Sequence, residues 1–254
     1  MENAVVYGWG MVGKATAHAL GIKNFISRRE ASLSFKEAGE MRYHFICLPT
    51  LVDEMGRYKL EDIKTLIKQL QENAVGQHVY IIRSTVSPGT LRALQEHFGI
   101  SCFVHVPEFL TEKTWKEDAE HPDIVVVGAD QQNYRDDVVG IFRSRYKGVD
   151  IIETDSVTAE LIKCARNAFY STKVVFGNEI YDFAKTIGAD YDVVREALYK
   201  SKWIGKNHLD VHHGGYRGLG GKCLPKDLQA LAEISNSKLL KTVEILDKTY
   251  HGRE

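Results

Sequence analysis

Cys223 is the first candidate for chemistry in this sequence. It lies in the stretch GGKCLPKD, with Lys222 and Lys226 close by and with Pro225 in a position that suits the first turn of a helix. A cysteine just ahead of a helix N-terminus and beside lysines is expected to have a lowered pKa and to react as a thiolate. The same surroundings would also suit a cysteine that only packs in a turn, so local context leaves both interpretations open.

A second set of polar residues precedes the cysteine at helical spacing. TAELIKCARNAFYS places Glu160, Lys163, Asn167 and Ser171 at i, i+3, i+7 and i+11, on one helix face. A lysine and an asparagine that face a cleft can hydrogen-bond a developing oxyanion. An exposed stripe with ordinary helix pairing is the alternative. Asp227, near the third position of the helix after Cys223, either reaches back over the preceding loop or caps the helix.

The N-terminus carries the glycine fingerprint of a dinucleotide site. YGWGMVGKA gives G-x-G-x-x-G as Gly8, Gly10 and Gly13, after a strand-like run and at the start of a helix. Gly8 allows the tight turn, Gly10 the approach of a pyrophosphate and Gly13 close helix–strand packing. Backbone N–H groups at Met11 and Val12 begin that helix and would face the phosphates. The alternative is a glycine-rich turn kept for packing.

The residues after the second strand-like run bear on cofactor choice. An acidic residue that binds the ribose hydroxyls is usual here, but the segment reads FISRRE, with Ser27 in that place and Arg28 next to it. A Ser-Arg-Arg turn could hold the 2′-phosphate of NADP, whereas Glu30 could still serve the ribose of NAD. We expect NAD, with NADP as the alternative.

The elements that must position these residues follow from the hydrophobic pattern. Short apolar runs alternate with helical stretches through the first half, which indicates a parallel sheet covered on both faces. From Ser156 to Ile187 the pattern predicts one long helix, followed by a shorter helix near Asp190–Tyr199 and a last helix from about Pro225. The predicted fold class is α/β: an N-terminal Rossmann-like doubly wound parallel sheet (residues 1–150), then a helical domain with one long central helix (residues 151–254).

Composition excludes several classes of function. The formal net charge is -1 and the pI is about 6.8, so no global field attracts nucleic acid or an anionic membrane. No apolar run approaches the length of about 20 residues that a membrane span needs, and the first residues do not resemble a signal peptide. The four cysteines are far apart and form no CxxC. We therefore expect reduced thiols, no disulfide or metal scaffold, and a cytoplasmic protein.

Taken together, these segments resemble the UDP-glucose/GDP-mannose dehydrogenase family over nearly the whole chain. The matching motifs occur in family order: GWGMVG, ICLPT, RSTVSPGT, VPEFLTE, HPDIVVVG, AELIKCARNAFYSTKVVFGNEI and GLGGKCLPKD. The resemblance implies oxidation of the primary alcohol of a nucleotide sugar to a carboxylate, with two dinucleotides used in succession. It favours UDP-glucose as the substrate and a homodimer formed through the long helix.

The resemblance also implies a role for particular residues. Cys223 matches the nucleophile that holds the aldehyde stage and then forms a thioester. Lys163 and Asn167 match the oxyanion-stabilising pair, and the groups that order water and move protons match Asp227, Glu112 and Thr85. Further substrate contacts are expected from Glu108, Phe109, Leu110, Gly220 and Gly221. Further cofactor contacts are expected from Pro49, Thr50 and Thr85.

The sequence also departs from the family pattern. The family has a further C-terminal domain that grips the nucleotide, whereas this sequence continues for 31 residues after Cys223, and Trp203 replaces an arginine in the loop ahead of the cysteine. A basic loop, Lys200–Lys222, is expected to help hold the diphosphate through Lys206 and Arg217, and a basic loop that is only solvated is the alternative. Its histidines, His208, His212 and His213, could instead bind a metal, but we expect none because no further ligand set accompanies them.

Two other functions remain open from the sequence alone. One is a non-catalytic subunit that binds a dinucleotide or supports a partner. The other is a two-electron dehydrogenase of the 2-hydroxyacid type, which would have no need for a cysteine framed by glycines.

Overall fold

The run Ala4–Tyr7 forms the first strand (β1) of the computed structural model, which describes residues 1–212 and 215–251. Within those residues, six further strands join it in one sheet: β2 (Asn24–Ile26), β3 (Tyr43–Ile46), β4 (Val79–Ile82), β5 (Phe103–His105), β6 (Ile124–Gly128) and β7 (Asp150–Thr154). The strand order is β2-β1-β3-β4-β5-β6-β7. The pairs are parallel, except that β6 runs antiparallel to β5 through the pair His105 and Gly128. The predicted Rossmann-like fold class is confirmed, and the sheet departs from the parallel arrangement at this one pair.

Helices cover both faces of the sheet because its strands are apolar on both sides. They are α1 (Met11–Leu20), α2 (Phe35–Ala38), α3 (Glu61–Asn73), α4 (Thr90–Phe98), α5 (Trp115–Glu120) and α6 (Gln132–Arg145). Alternate residues of β1 enter two separate cores, with Val6 packed in the cluster that includes α1 and α6 and with Val5 in the cluster that includes α3 and α4. The period of two along a strand thus supplies both helical layers with apolar contacts.

A second compact unit begins inside the longest helix. The first unit comprises Met1–Leu51 and Tyr58–Lys163, and the second comprises Val52–Arg57 and the chain from Cys164 onward. Helix α7 (Ser156–Ile187) coincides with its prediction, and its first eight residues belong to the first unit. The domain boundary near residue 150 stays a prediction.

The second unit contains α8 (Tyr191–Lys200), α9 (Leu224–Ser235) and α10 (Lys238–Tyr250). The sequence predicted one last helix, but α9 ends at Asn236, which adopts a left-handed conformation, and Ser237 caps the start of α10. Among the described residues, no helix is both long enough and apolar enough to cross a membrane.

Three ring side chains form a buried polar chain inside the first unit. The Tyr7 hydroxyl lies 2.9 Å from Nδ1 of His44, and Nε2 of His44 lies 2.9 Å from Nδ1 of His78. Burial, with a further contribution from His78, lowers the pKa of His44 to about 3. Burial also lowers the pKa of His78. Both rings are therefore neutral at neutral pH.

Acid is expected to destabilise the protein through His44. Because the pKa of His44 is lower in the folded than in the unfolded protein, its contribution to stability is fully present above about pH 6.5. That contribution is lost as the pH falls towards 3. Between pH 7.5 and pH 5, His44 alone should cost about 2 kcal/mol of unfolding free energy. Urea unfolding at both pH values should show a smaller loss for His44→Gln than for the wild type, while His97→Gln, an exposed control, keeps the wild-type loss. Equal pH dependence in all three proteins would contradict this account.

Candidate active site

The sheet has a topological switch point beside β1, which pairs with β2 on one side and with β3 on the other. Ligands of open α/β sheets bind in the crevice at the carboxyl ends of the strands at such a point. Gly8 follows β1 with φ +92, and a Cβ added there would lie 2.7 Å from the carbonyl oxygen of Cys47, just after β3. A Cβ at Gly13 would lie 1.9 Å from the carbonyl oxygen of Gly8. Both positions therefore require glycine.

Gly10 has the opposite environment. Apart from Gly10 itself, its chain neighbours and the adjoining helix backbone, no atom of the described residues lies within 4 Å of the position that its Cβ would occupy, and Gly10 offers no side chain to cap the α1 N-terminus. The first N–H groups of α1, including those of Met11 and Val12, thus stand at an open face with the positive end of the helix dipole. This cradle is suited to a pyrophosphate, and contact of Gly10, Met11 and Val12 with NAD stays a prediction.

Two polar side chains in the turn after β2, those of Ser27 and Arg28, already have partners within the protein. The Ser27 hydroxyl donates to the carbonyl oxygen of Glu30 (2.8 Å), and Arg28 forms an exposed ion pair with Asp62 of α3 (2.7 Å). A 2′-phosphate would have to compete with Asp62 for the guanidinium. This arrangement agrees with NAD as the cofactor.

We expect the protein to bind NAD more tightly than NADP, and Asp62 to contribute to that preference. Asp62→Asn releases Arg28 and should improve NADP affinity up to about fivefold, the range of an exposed ion pair, while NAD affinity stays within about twofold. Titration calorimetry with both dinucleotides measures this. Glu153→Gln, which breaks another exposed pair with Arg143 (2.7 Å), should change neither affinity. A wild-type preference for NADP would contradict the assignment.

The loops after β3 and β4 are joined by side-chain hydrogen bonds. The Thr50 hydroxyl donates to the carbonyl oxygen of Thr85 (2.6 Å), and the Ser84 hydroxyl donates to that of Leu48 (2.6 Å). Pro49, next to Thr50, lies in the same loop. The structure therefore brings the loop that contains Pro49 and Thr50 against Thr85, and contact of these residues with the cofactor stays a prediction.

Lys163, which is buried, contacts the partly buried PEFL segment in the first unit. The Lys163 ammonium donates to the carbonyl oxygen of Glu108 (2.8 Å) and to its carboxylate (3.0 Å), and it lies 5.7 Å from the centre of the Phe109 ring. The other carboxylate oxygen of Glu108 accepts from the N–H of Leu110 (2.7 Å). Glu112, by contrast, is exposed in the turn before α5, and its role stays a prediction.

Asn167 and Asp227 form the corresponding arrangement in the second unit. The Asn167 amide donates to Asp227 (2.6 Å), whose other oxygen lies 2.6 Å from the Lys226 ammonium. Ser171 donates to the carbonyl oxygen of Asn167 (3.0 Å). Glu160, Lys163, Asn167 and Ser171 are all buried. The alternative of an exposed polar stripe on α7 is therefore wrong.

Cys223 is the N-cap residue of α9 and is exposed. Its carbonyl oxygen accepts the first intrahelical hydrogen bond from the N–H of Asp227 (2.9 Å), so the thiol lies at the positive end of the helix dipole. The other cysteines are buried or half-buried, and none of the four forms a disulfide. Burial raises the pKa values of Cys47 and Cys102 to about 11. Cys223 is thus the most accessible nucleophilic sulfur.

The two glycines ahead of the Cys223 thiol, Gly220 and Gly221, have different structural environments. A Cβ at Gly220 would lie 1.7 Å from the Tyr216 hydroxyl, so a larger residue there would require the Tyr216 side chain to move. Gly221 has φ +71, a left-handed conformation that favours glycine, with open space around it. The backbone next to Cys223 is therefore exposed to an approaching ligand, although contact with substrate remains a prediction for both glycines.

Arg217 does not have the surface position expected of a substrate-binding cation. It is 4% exposed, forms an ion pair with Asp182 of α7 (2.7 Å) and donates to the side chain of Asn178 (3.1 Å). Its guanidinium also lies over the rings of Tyr181 and Tyr250. The residue anchors the loop on α7, so its assignment to the diphosphate is wrong. Lys206 is exposed, and its role stays a prediction.

No group of three metal-ligating side chains occurs in the described part of the chain. His213, one of the three histidines considered for a metal, lies outside the described residues. The sequence also gave no indication of the Arg217 anchor or of the hydrogen bonds that Glu160 makes, because both join segments far apart in the chain.

Comparison with known proteins adds independent findings. Residues 22–145 match the NAD binding domain, and residues 157–250 the central domain, of the UDP-glucose/GDP-mannose dehydrogenase family. The UDP-glucose 6-dehydrogenase of Rickettsia typhi is 31% identical over 213 residues, which are 78% of this chain and 47% of that protein. The GDP-mannose 6-dehydrogenase of Pseudomonas savastanoi pv. phaseolicola is 31% identical over 208 residues, 76% of this chain and 46% of that protein.

The chain therefore spans about half the length of the curated relatives it matches. Among solved structures, a UDP-glucose dehydrogenase from Pyrobaculum islandicum superposes with a TM-score of 0.82 at 25% identity. That match covers 98% of this chain and 68% of the other.

Proposed function

Because the chain belongs to the UDP-glucose/GDP-mannose dehydrogenase family, we propose that it oxidises the C6 alcohol of a nucleotide sugar to a carboxylate, with NAD as the oxidant. UDP-glucose, which would give UDP-glucuronate, is the expected substrate. The observation that carries the proposal is the exposed thiol of Cys223 at the N-terminus of α9, one turn from the hydrogen-bonded pair Asn167 and Asp227. An alcohol can reach the acid level by two hydride transfers only if the aldehyde is retained, and a thiolate retains it covalently.

NAD, when bound, accepts a hydride from C6 in each of the two oxidations. Between them, the Cys223 sulfur forms a bond to the aldehyde carbon, and the carbonyl oxygen becomes the oxyanion of a thiohemiacetal. Loss of the second hydride leaves a thioester on Cys223. Water then adds to the thioester carbon, the C–S bond breaks, and the acid leaves as the thiolate is regenerated. Overall, one alcohol, two NAD and one water give one carboxylate, two NADH and three protons.

Lys163 and Asn167 on α7 each have one more N–H group than the hydrogen bonds described above use. The Lys163 ammonium has three N–H groups, and Glu108 takes two of them. The Asn167 amide has two N–H groups, and Asp227 takes one. We assign the remaining N–H of each residue to the oxyanion, where a donor stabilises charge that develops in the transition state. The resemblance to the family assigns the ordering of the hydrolytic water to Asp227 and the movement of protons to Thr85 and Glu112.

A substrate panel tests the proposal. The purified chain is mixed with UDP- and GDP-sugars and with each dinucleotide, and reduced nicotinamide and acid product are measured by absorbance and mass. Formation of a UDP-uronate with NAD supports the proposal. Binding of NAD without turnover of any sugar would favour a non-catalytic subunit, and an aldehyde or keto product would favour two-electron chemistry. Either result would overturn the assignment.

A stripe of exposed phenylalanines on α7 supports a homodimer. Phe169, Phe176 and Phe183 recur at intervals of seven residues and are 62%, 51% and 59% exposed, and Ile187 continues the stripe. A heptad interval keeps apolar residues on one helix face, which suits packing against a second copy of that helix. We propose this stripe as the dimer interface.

Charge in the stripe is expected to dissociate the dimer. In sedimentation velocity at micromolar concentration, we expect a dimer for the wild type and a monomer for Phe176→Lys combined with Phe183→Lys, because each lysine would be buried without a partner. Val193→Lys on α8, at a comparably exposed apolar position, should remain dimeric. A monomeric wild type would contradict the proposal.

A further inference from the structure

Glu160 is a buried carboxylate on α7 that the proposed chemistry does not use. It is 0% exposed, and its two oxygens accept from different backbone N–H groups: Oε2 from Gly89 (2.5 Å) and Oε1 from Leu91 (2.8 Å). These N–H groups lie at the start of α4, whose own N-cap, Gly89, has no side chain with which to cap it. Glu160 therefore caps α4 from another helix.

The segment that precedes α4 is the loop Arg83–Gly89, which contains Thr85. One end of this loop is fixed to the loop after β3, through the hydrogen bonds from Thr50 to Thr85 and from Ser84 to Leu48. Glu160 fixes the other end through Gly89. The loop leaves the carboxyl end of β4, which pairs with β3 next to the switch point. Its shape therefore determines part of the wall of the dinucleotide crevice.

We propose that Glu160 is a positioning residue for the dinucleotide: its ionised carboxylate holds the loop Arg83–Gly89 in the shape that binds NAD. The proposal concerns NAD binding by the first unit and does not depend on the proposed oxidation of a nucleotide sugar.

The two hydrogen bonds require the ionised form. A carboxylate accepts at both oxygens, whereas a carboxylic acid has one oxygen that carries a proton and acts as a donor. Protonation therefore deprives one of the two N–H groups, that of Gly89 or that of Leu91, of its acceptor. The Gly89 end of the loop then keeps one of its two hydrogen bonds to Glu160, and a smaller fraction of molecules has the shape that binds NAD.

Protonation occurs near neutral pH. Burial raises the pKa of Glu160 to about 7, against the opposing effect of the backbone N–H groups of Leu91, Gly89 and Thr90, and the charge of Asp130 raises it further. The other charged or titratable groups around it come from α4, the loops after β6 and β7, β5 and α7: Arg92, Asp130, Asp155, His105 and Lys163. Arg92 pairs with Asp130 (3.0 Å) and Asp155 (3.7 Å), and Lys163 pairs with Glu108. Burial lowers the pKa of His105 to about 3, so that ring is neutral from pH 6 to pH 8.

The test is the NAD dissociation constant between pH 6 and pH 8, measured by calorimetry. In the wild type, the ionised fraction at pH 6 is about one eleventh, so NAD should bind about tenfold more weakly than at pH 8. Glu160→Gln has one acceptor oxygen at every pH. Its affinity should be at least about tenfold weaker than that of the wild type at pH 8, and independent of pH.

Stability distinguishes positioning from a general structural role. Because the folded pKa of Glu160 is raised, its contribution to stability is present below about pH 4.5 and is lost as the pH rises through 7. The melting temperature of Glu160→Gln at pH 8 should therefore not fall, although NAD binds less tightly. Amide hydrogen exchange at Gly89 and Leu91 should become faster in the variant, without a change in the strands.

Two further variants complete the experiment. Glu37→Gln removes a carboxylate that caps α2, where Glu37 accepts from the N–H of Ser34 (2.7 Å), and should keep the wild-type response to pH. Asp130→Asn removes the negative charge that raises the Glu160 pKa, so the midpoint of the NAD response should move to lower pH. If Glu160→Gln does not fold, the shift of this midpoint in Asp130→Asn is the test of the proposal. A wild-type dissociation constant that is constant from pH 6 to pH 8, or a Glu160→Gln variant with wild-type affinity and pH response, would overturn the proposal.

Discussion

Cys223→Ala is expected to abolish release of the sugar acid. Without the sulfur, the aldehyde formed by the first hydride transfer has no covalent anchor, and no thioester can form. Removal of a covalent nucleophile should lower the rate of acid formation on the order of 10³-fold or more. The measurement is acid product by mass after a fixed time with the active nucleotide sugar and NAD. Cys102→Ala, at a half-buried thiol of the first unit, should keep the wild-type rate.

Cys223→Ser refines the same experiment. A serine oxygen at the N-terminus of α9 can replace the sulfur as a nucleophile, and the resulting ester would hydrolyse slowly. Intact-mass measurement of this variant during turnover should therefore show a covalent adduct of the nucleotide sugar. Near wild-type acid formation by Cys223→Ala would contradict the covalent mechanism, whatever the serine variant shows.

Lys163→Met is the second substitution with a large expected effect, and it should act in two ways. It removes an oxyanion donor, which should lower kcat by about 10²- to 10³-fold. It also leaves the buried Glu108 carboxylate without its ammonium partner, which should cost about 3–5 kcal/mol of unfolding free energy. Kinetics with saturating substrate and urea unfolding measure the two effects separately.

A double variant separates those effects further. Lys163→Met combined with Glu108→Gln no longer buries an uncompensated charge, so we expect most of the stability to return while the rate stays low. Lys185→Met, at an exposed position on the same helix, should change neither quantity. If the double variant recovered the rate as well as the stability, Lys163 would act only by balancing the charge of Glu108.

The helices and strands were predictable where the apolar pattern in the sequence extends over many residues. Helix α7 shows an apolar pattern over many turns, and its predicted and observed ranges agree at Ser156 and Ile187. The antiparallel direction of β6 was not predictable, because a buried strand has the same apolar pattern in either direction. The break between α9 and α10 was missed because Asn236 and Ser237 end one helix and start the next without a glycine or proline.

The candidate site was predictable as residue types but not as contacts. The position of Cys223 at a helix N-terminus follows from the nearby Pro225 and the preceding glycines, and the structure has that arrangement. Arg217 was misjudged because a lone arginine in a glycine- and histidine-rich loop is usually solvated. Its burial depends on Asp182 and Asn178, which are 35 and 39 residues earlier in the chain. Local sequence carries no information about such partners.

The ratio of NADH to acid tests the central claim most directly. With a limiting amount of the active nucleotide sugar and excess NAD, NADH is measured by absorbance and the uronate by mass in the same sample. The account predicts two NADH for each acid released, without aldehyde in solution, because Cys223 retains the intermediate between the two oxidations. One NADH for each product molecule, with an aldehyde or ketone as that product, would contradict it.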